Sequence, residues 1–304
     1  MSLSYTLCEL CPRMCKVNRE NGEKGICGVT AKIKVARAAL HFWEETCISG
    51  TNGSGAVFFS GCSLHCVFCQ NESIARGTVG KEIEKERRAE IFLKLQGQGA
   101  NNINLVTPGQ YIPHIVWAVE SARNQGLNIP IVYNTGSYEK VESLKRLEGI
   151  VDIYLPDFKY WSPEIAQKYS HAGDYPKVAK AAIAEMVRQQ PSPQFHEDSG
   201  QGCDIMEKGV IVRQLLLPGQ LQDAKSIVKY LFETYGNQIY LSLMSQFTPL
   251  PHVEKYPELN RRVSPRTYEK YVDYAISLGV EQGFIQEGEV AEESFIPDFN
   301  GEGV

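Results

Sequence analysis

Short apolar runs alternate along this chain with longer segments whose apolar positions recur at helical spacing. The runs at 56–60, 103–106, 129–133, 151–155, 210–217 and 239–244 are short, rich in Val, Ile, Leu, Tyr and Phe, and read as buried strands. Helices are expected near 81–96, 113–124, 138–147, 163–169, 177–189, 222–235 and 265–278, the first with Ile83, Ile91, Phe92 and Leu95 as its apolar positions. Six strand-then-helix units in succession imply an α/β fold with a parallel sheet and helices on its outer face. A closed or incomplete barrel and an open doubly wound sheet both satisfy that pattern.

The first fifty-two residues follow a different rule. They hold a group of cysteines, an alternating stretch over 32–42 and a turn-rich exit over 49–55. They are expected to form a Cys-rich arm (1–52) ahead of a core domain (53–304). A Pro-, Ser- and Gly-rich loop is expected at 191–202. Polar residues stand at or just past the predicted strand ends: Thr107, Asn134, Thr135, Asp157, Lys159 and Gln246. In parallel α/β folds the ligand lies at that edge.

Composition narrows the function classes. Of 304 residues 43% are hydrophobic and 22% charged, with a formal net charge of −5, an ordinary balance for a globular protein. No basic stripe is visible, so a nucleic-acid partner is not expected. No apolar run approaches the roughly 20 residues of a membrane span. The opening MSLSYTLCELCPRMC has no apolar signal core, so a cytoplasmic location is expected.

Nine cysteines are present, and seven fall into two tight groups. In a reducing compartment such groups more often bind metal than form disulfides. Cys47 and Cys203 stand alone and read as ordinary packed or exposed thiols. The group directly after the first predicted core strand is Cys62-x3-Cys66-x2-Cys69, three thiols within eight residues. Iron–sulfur clusters take thiolate ligands, and a cubane held by three leaves one iron open for chemistry. Zinc usually asks for four ligands in C-x2-C pairs.

This spacing, with Phe68 just before the third cysteine, resembles the signature of the radical SAM superfamily. FFSGCSLHCVFCQN, VTPGQYIP, IVYNTGSYE, VDIYLPDFKY, QLLLPG, LSLMSQFTPLP and the opening CELCPRMC…NGEKGICG are similar to the branch of pyruvate formate-lyase activating enzyme. The likeness spans roughly residues 5 to 300. It implies a partial (β/α)6 TIM-like barrel and a four-iron, four-sulfur (4Fe-4S) cluster on Cys62, Cys66 and Cys69. It further implies S-adenosylmethionine (SAM) chelated at the open iron and cleaved reductively to a 5′-deoxyadenosyl radical that abstracts hydrogen from a substrate. The implied activity is that of an oxidoreductase, an activating enzyme for a glycyl-radical-type protein. The implied partners are a protein or peptide substrate and an electron donor such as flavodoxin or ferredoxin. Modification of a small molecule or peptide is the alternative within the family, and a non-catalytic zinc- or iron-binding protein is the alternative outside it.

The resemblance carries over unevenly to single residues. Activating enzymes hold the SAM amino group with an acidic Gly-Gly-Glu-like segment, whereas 104–109 here has no acid; backbone carbonyls and Thr107 would take its place. Asn134 and Thr135 resemble the polar pair of the third strand, and Asp157 with Lys159 resembles the Asp-x-Lys segment of the fourth. These five are the candidate cofactor-binding residues, although Asp157 and Lys159 also fit a solvated pair. Arg213 lies within an apolar run and needs a partner, functional or structural.

Cys8, Cys11, Cys15 and Cys27 offer four thiols, which suit structural zinc or iron first, with an auxiliary electron-relay cluster or reduced thiols in a docking role as the alternatives. A short arm has little core of its own, so metal could fold it. His41 near the Glu44-Glu45 pair could serve acid–base work, but such a pair is expected on a solvated face. His65 is not expected as a ligand. His114, His171, His196 and His252 show no metal spacing.

Overall fold

The computed structural model describes residues 4–196, 203–285 and 297–304. Its elements run β1 (Lys34–His41), α1 (Thr46–Ser49), β2 (Ser54–Phe59), α2 (Glu72–Ala75), β3 (Lys81–Glu82), α3 (Lys85–Gly97) and β4 (Ile103–Val106). There follow α4 (Ile112–Arg123), β5 (Ile131–Thr135), α5 (Val141–Leu144), β6 (Ile153–Pro156), α6 (Pro163–Ser170), α7 (Tyr175–Gln189) and β7 (Gln194–His196). The chain ends with β8 (Ile205–Leu215), α8 (Leu221–Tyr235), β9 (Tyr240–Met244), α9 (Pro265–Leu278) and β10 (Gly283–Ile285).

The sheet order is β10-β9-β8-β6-β5-β4-β2-β1-β3, with β7 pairing β8 to one side. From β2 through β10 the neighbours on this path pair in parallel and in chain order, the winding of a (β/α) barrel. Antiparallel β1 extends the β2 edge, and among the described residues β3 and β10 do not pair, so the barrel is partial. The six predicted core strands are β2, β4, β5, β6, β8 and β9. Outward positions such as Val57, Leu105, Tyr133, Tyr154 and Val212 join one large apolar cluster with the helices. Inward positions form two smaller clusters, one around Phe58 and Val106, the other around Val132, Leu155 and Ile211.

Helix starts follow local chemistry. The Ser162 side chain accepts from the Ile165 amide and Ser264 from the Thr267 amide, each just before a proline whose fixed φ suits the first turn. Two expectations are revised. The helix expected from 81 starts at Lys85, because Lys81 and Glu82 pair with β1. The helix expected over 138–147 shrinks to α5 and one 3-10 turn at Lys145–Leu147, because Tyr138 and Glu139 face the cavity described below. Of the loop expected at 191–202, residues 197–202 lie outside the described residues. No helix among the described residues is long and apolar enough to cross a membrane.

The Cys-rich segment folds through turns and docks on the barrel. Cys8 N–H donates to Val17 O (3.0 Å), Lys16 N–H to Cys8 O (2.9 Å) and Met14 N–H to Cys11 O (3.1 Å). Its private core is small: Tyr5, Cys8 and Leu10, with Val17 and Ala31 against them. Arg13 ties it to the barrel by donating to Ser63 O, His171 O and Ser170 O at 2.9, 2.6 and 2.9 Å. Ser143 Oγ donates to Leu10 O (2.6 Å), and the His114 ring stacks on Tyr5. At Gly61 the backbone has φ +93°, and a Cβ there would lie 2.8 Å from Cys27 O. Gly61→Ala is therefore expected to cost about 1–3 kcal/mol in strain and to unseat the arm, which limited proteolysis reads as faster cleavage before residue 34.

Candidate active site

Parallel pairing brings the carboxyl ends of the core strands to one rim, and a cavity of about 430 Å3 opens there. Each strand end contributes to its wall: Cys62, Cys66 and Cys69 after β2, Thr107 after β4, Thr135 and Gly136 at β5, Asp157 and Lys159 after β6, Leu217 after β8 and Gln246 after β9. The cavity thus gathers every candidate cofactor-binding residue named from the sequence, together with the three cysteines. Cys8, Cys11, Cys15 and Cys27 line it as well.

The cysteine loop is shaped by its backbone. His65 takes a left-handed conformation (φ +52°) that turns the chain between the first two cysteines. The Leu64 amide lies 3.4 Å from Cys62 Sγ, and the Ser170 hydroxyl donates to Cys66 Sγ at 3.0 Å. Donors aimed at sulfur favour the thiolate. Without a metal, burial pushes the Cys62 thiol up and the Cys69 thiol up to about 12, against the weaker pull of Lys159. Phe68 packs edge-on against Tyr160, Tyr169 and Phe247, with centroids 6.2, 6.4 and 6.0 Å apart. Three sulfur donors on one loop, supplied with N–H and O–H donors and walled by aromatic rings, fit an iron–sulfur cluster.

Below the cysteines an ionic network crosses the barrel interior. Arg213 on β8 donates through Nε to Asp157 Oδ1 (2.8 Å), through Nη1 to Glu44 Oε2 (3.1 Å) and through Nη2 to Asn134 Oδ1 (2.6 Å). Lys159 Nζ donates to Asp157 Oδ2 at 2.6 Å, and Asn104 and Asn134 both donate to Glu44 Oε1. Burial alone would raise the Asp157 carboxyl, yet the charges of Arg213 and Lys159 outweigh it and hold it below the usual carboxylate value. Lys159 and Arg213 are each opposed by burial but raised on balance, chiefly by Asp157. Asp157 and Lys159 are thus a pair inside the cavity rather than a solvated one, with side chains 22% and 19% exposed. Arg213 is paired structurally.

Glu44 and Glu45 correct the expectation of a solvated acidic face. The connection from β1 to β2 turns beneath the barrel, where Cys47 and Ile48 of α1 join the inner apolar cluster. Asn101 and Asn102 fasten it by donating to Ser49 O and Ile48 O, each at 2.7 Å. Glu44 thereby reaches Arg213 with 10% of its side chain exposed. The Glu45 carboxyl is pushed up by burial, with Arg213 opposing.

Glu139 was not singled out from the sequence. Its Oε1 accepts from Thr135 Oγ1 (2.8 Å) and Tyr133 OH (3.2 Å), and a Cβ on Gly109 would lie 2.5 Å from that oxygen. The glycine makes room for the acid. A carboxylate therefore does reach the loop after β4, where 104–109 lacks one. Thr107 in that loop is itself held in a left-handed conformation (φ +55°). Its carbonyl accepts from Gln110 Nε2 at 2.8 Å.

The sequence model of the radical SAM superfamily matches residues 56–191. The chain is 27% identical over 275 residues to an uncharacterized protein of Methanocaldococcus jannaschii, covering 88% of this chain and 74% of that one. Among solved structures it is similar to a domain of pyruvate-formate lyase-activating enzyme from Bacteroides vulgatus, with 12% identity and a TM-score of 0.40 over 58% of this chain and 93% of that one. It is also similar to the FeFe-hydrogenase maturase HydG from Carboxydothermus hydrogenoformans, with 12% identity and a TM-score of 0.49 over 80% of this chain and 55% of that one. Streptococcus suis SuiB bound to precursor peptide SuiA gives 12% identity and 0.48 over 75% and 46%.

Burial pushes the Glu139 carboxyl up to about 7 from a usual 4.5. Because its folded value lies above the unfolded one, its stabilisation is full below pH 4.5 and is lost as pH rises through about 7. Glu139→Gln keeps the acceptor and removes the charge. The variant is expected to match wild type at pH 4.5 and to exceed it by about 2–3 kcal/mol at pH 8, which anaerobic thermal unfolding across that range measures.

Proposed function

Residues 56–191 make this chain a member of the radical SAM superfamily, and we propose that it cleaves SAM reductively and abstracts hydrogen from a glycyl site of a protein or peptide. The observation that carries the reading is the convergence of Cys62, Cys66 and Cys69 with the polar strand ends on one cavity. When bound, the reduced 4Fe-4S cluster supplies the electron that splits SAM into methionine and the 5′-deoxyadenosyl radical.

The chain's own residues hold, orient and shield. Cys62, Cys66 and Cys69 would hold the cluster through three of its irons. Lys159 spends one of its three N–H bonds on Asp157 and has others for the methionine carboxylate. Glu139, at the loop that lacks its own acid, accepts an N–H of the methionine amino group together with the backbone at Thr107. Asn134, Thr135 and Asp157 hold the ribose and the rest of the nucleoside. The buried rings around Phe68 exclude water from the back of the cluster loop.

The electron comes from a small acidic protein of the flavodoxin or ferredoxin kind. A second cavity of about 510 Å3 supports that choice, since it also reaches Cys66 and carries Arg13 and Lys255 in its wall beside the ion pair of Arg76 with Glu72. Cys8, Cys11, Cys15 and Cys27 are a second metal site in this reading. This reading places the protein in a reducing cytoplasm, where close-spaced cysteines serve as metal ligands.

Anaerobic incubation of reconstituted protein with dithionite and SAM is expected to release 5′-deoxyadenosine. Cys62→Ala is expected to lower that release to the protein-free background while leaving the unfolding midpoint of the apoprotein within a few degrees. Equal release from the variant would remove the cluster loop from the chemistry.

A further inference from the structure

The four arm cysteines present a problem of charge. Arg19 is only 1% exposed. Its guanidinium donates to Thr30 O (2.6 Å), Gln110 O (2.8 Å) and Val29 O (3.2 Å), lies 3.7 Å from Cys8 Sγ, and is flanked by the rings of Tyr5 and Tyr111. None of these partners is a carboxylate, and no ion pair to Arg19 forms among the described residues. Carbonyls and ring faces satisfy its hydrogen bonds but leave its full charge uncompensated, and a buried cation is retained only where an anion balances it. The anionic candidates beside it are cysteine sulfurs.

The sulfurs are arranged to carry that charge. The Ile26 amide lies 3.3 Å from Cys15 Sγ, and Arg19 points at Cys8. Met14 and Lys16 adopt positive φ (41° and 57°), so the backbone between the cysteines is bent to present them. Zinc would draw four sulfurs to about 2.3 Å from one point. Cys8, Cys11, Cys15 and Cys27 instead stand around the void that Cys62, Cys66 and Cys69 line. The two cysteine groups thus border one shared space.

We infer that Cys8, Cys11, Cys15 and Cys27 ligate a second iron–sulfur cluster, each iron closed by protein ligands, that borders the same cavity as the first. This rests on the radical SAM reading of the first site. Four thiolates carry more negative charge than an oxidised cluster core carries positive, and the excess is what Arg19 meets. Having no open iron, such a cluster exchanges electrons with the cavity's occupant without bonding to it. Gln110 couples the two sites mechanically: its carbonyl accepts from Arg19, while its Nε2 donates to Ser60 O (3.1 Å) and Gly61 O (3.0 Å) at the entry to the first cluster loop.

The test is metal analysis and spin resonance of the full chain, reconstituted anaerobically with ferrous salt and sulfide. A variant with Cys62, Cys66 and Cys69 all changed to Ala is expected to keep iron and sulfide in equal amounts, with a reduced-state signal that SAM does not alter. Cys8→Ala/Cys11→Ala is expected to hold half the wild-type iron, with a signal that SAM does alter. Zinc alone, or no metal, in the triple variant would overturn the inference while leaving the first site untouched. An unresponsive signal in the double variant would instead count against the radical SAM reading. Should the triple variant not fold, wild type and double variant decide: a twofold difference in iron supports the second cluster, and equal iron refutes it.

Discussion

Everything at the rim depends on one constraint: β2, β4, β5, β6, β8 and β9 run parallel, so their carboxyl ends must finish at one edge of the sheet. Because each neighbour is also the next core strand in sequence, the sheet curls as a barrel and turns those ends toward a common space. Six loops then share a volume that no single loop could enclose. The interior beneath is partly polar, which is tolerable only when charges cancel. Glu44 and Asp157 against Arg213 and Lys159 achieve that cancellation, with Asn104 and Asn134 filling the remaining hydrogen bonds.

Much of this was legible in the residues, and the reason is local periodicity. Strands buried on both faces are continuous apolar runs, and helices on the outside carry an apolar stripe, so the six units read directly. Pro163 and Pro265, each behind a serine cap, mark two helix starts almost to the residue. The grouping of Cys62, Cys66 and Cys69 on one loop was legible because their close spacing allows nothing else. That Thr107, Asn134, Thr135, Asp157 and Lys159 would share one cavity wall follows from one rule, that residues at parallel strand ends meet at a common rim.

What stayed hidden depends on contacts distant in sequence. Glu44 and Glu45 look like surface acids until the β1–β2 connection turns under the barrel and meets Arg213, more than 160 residues away. Glu139 looks like a helix residue, and only the space left by Gly109 shows where its carboxyl goes. The arm gave no sign that its cysteines open on the same cavity as the cluster loop. That juxtaposition is made by Arg13, Ser143 and Arg19 reaching backbone carbonyls across 50 or more residues. β10, three residues long, is too short for any periodicity to show.

The central claim is that a 4Fe-4S cluster held at three corners by Cys62, Cys66 and Cys69 takes SAM at its fourth, open iron. It is tested most directly by electron–nuclear double resonance on the reduced, full-length protein mixed anaerobically with SAM carrying 15N in its amino group and 17O in its carboxylate. Hyperfine coupling from both labels to the cluster spin is the expected result, lost when Cys62, Cys66 and Cys69 are replaced. A cluster signal that stays free of both couplings at saturating SAM would contradict it.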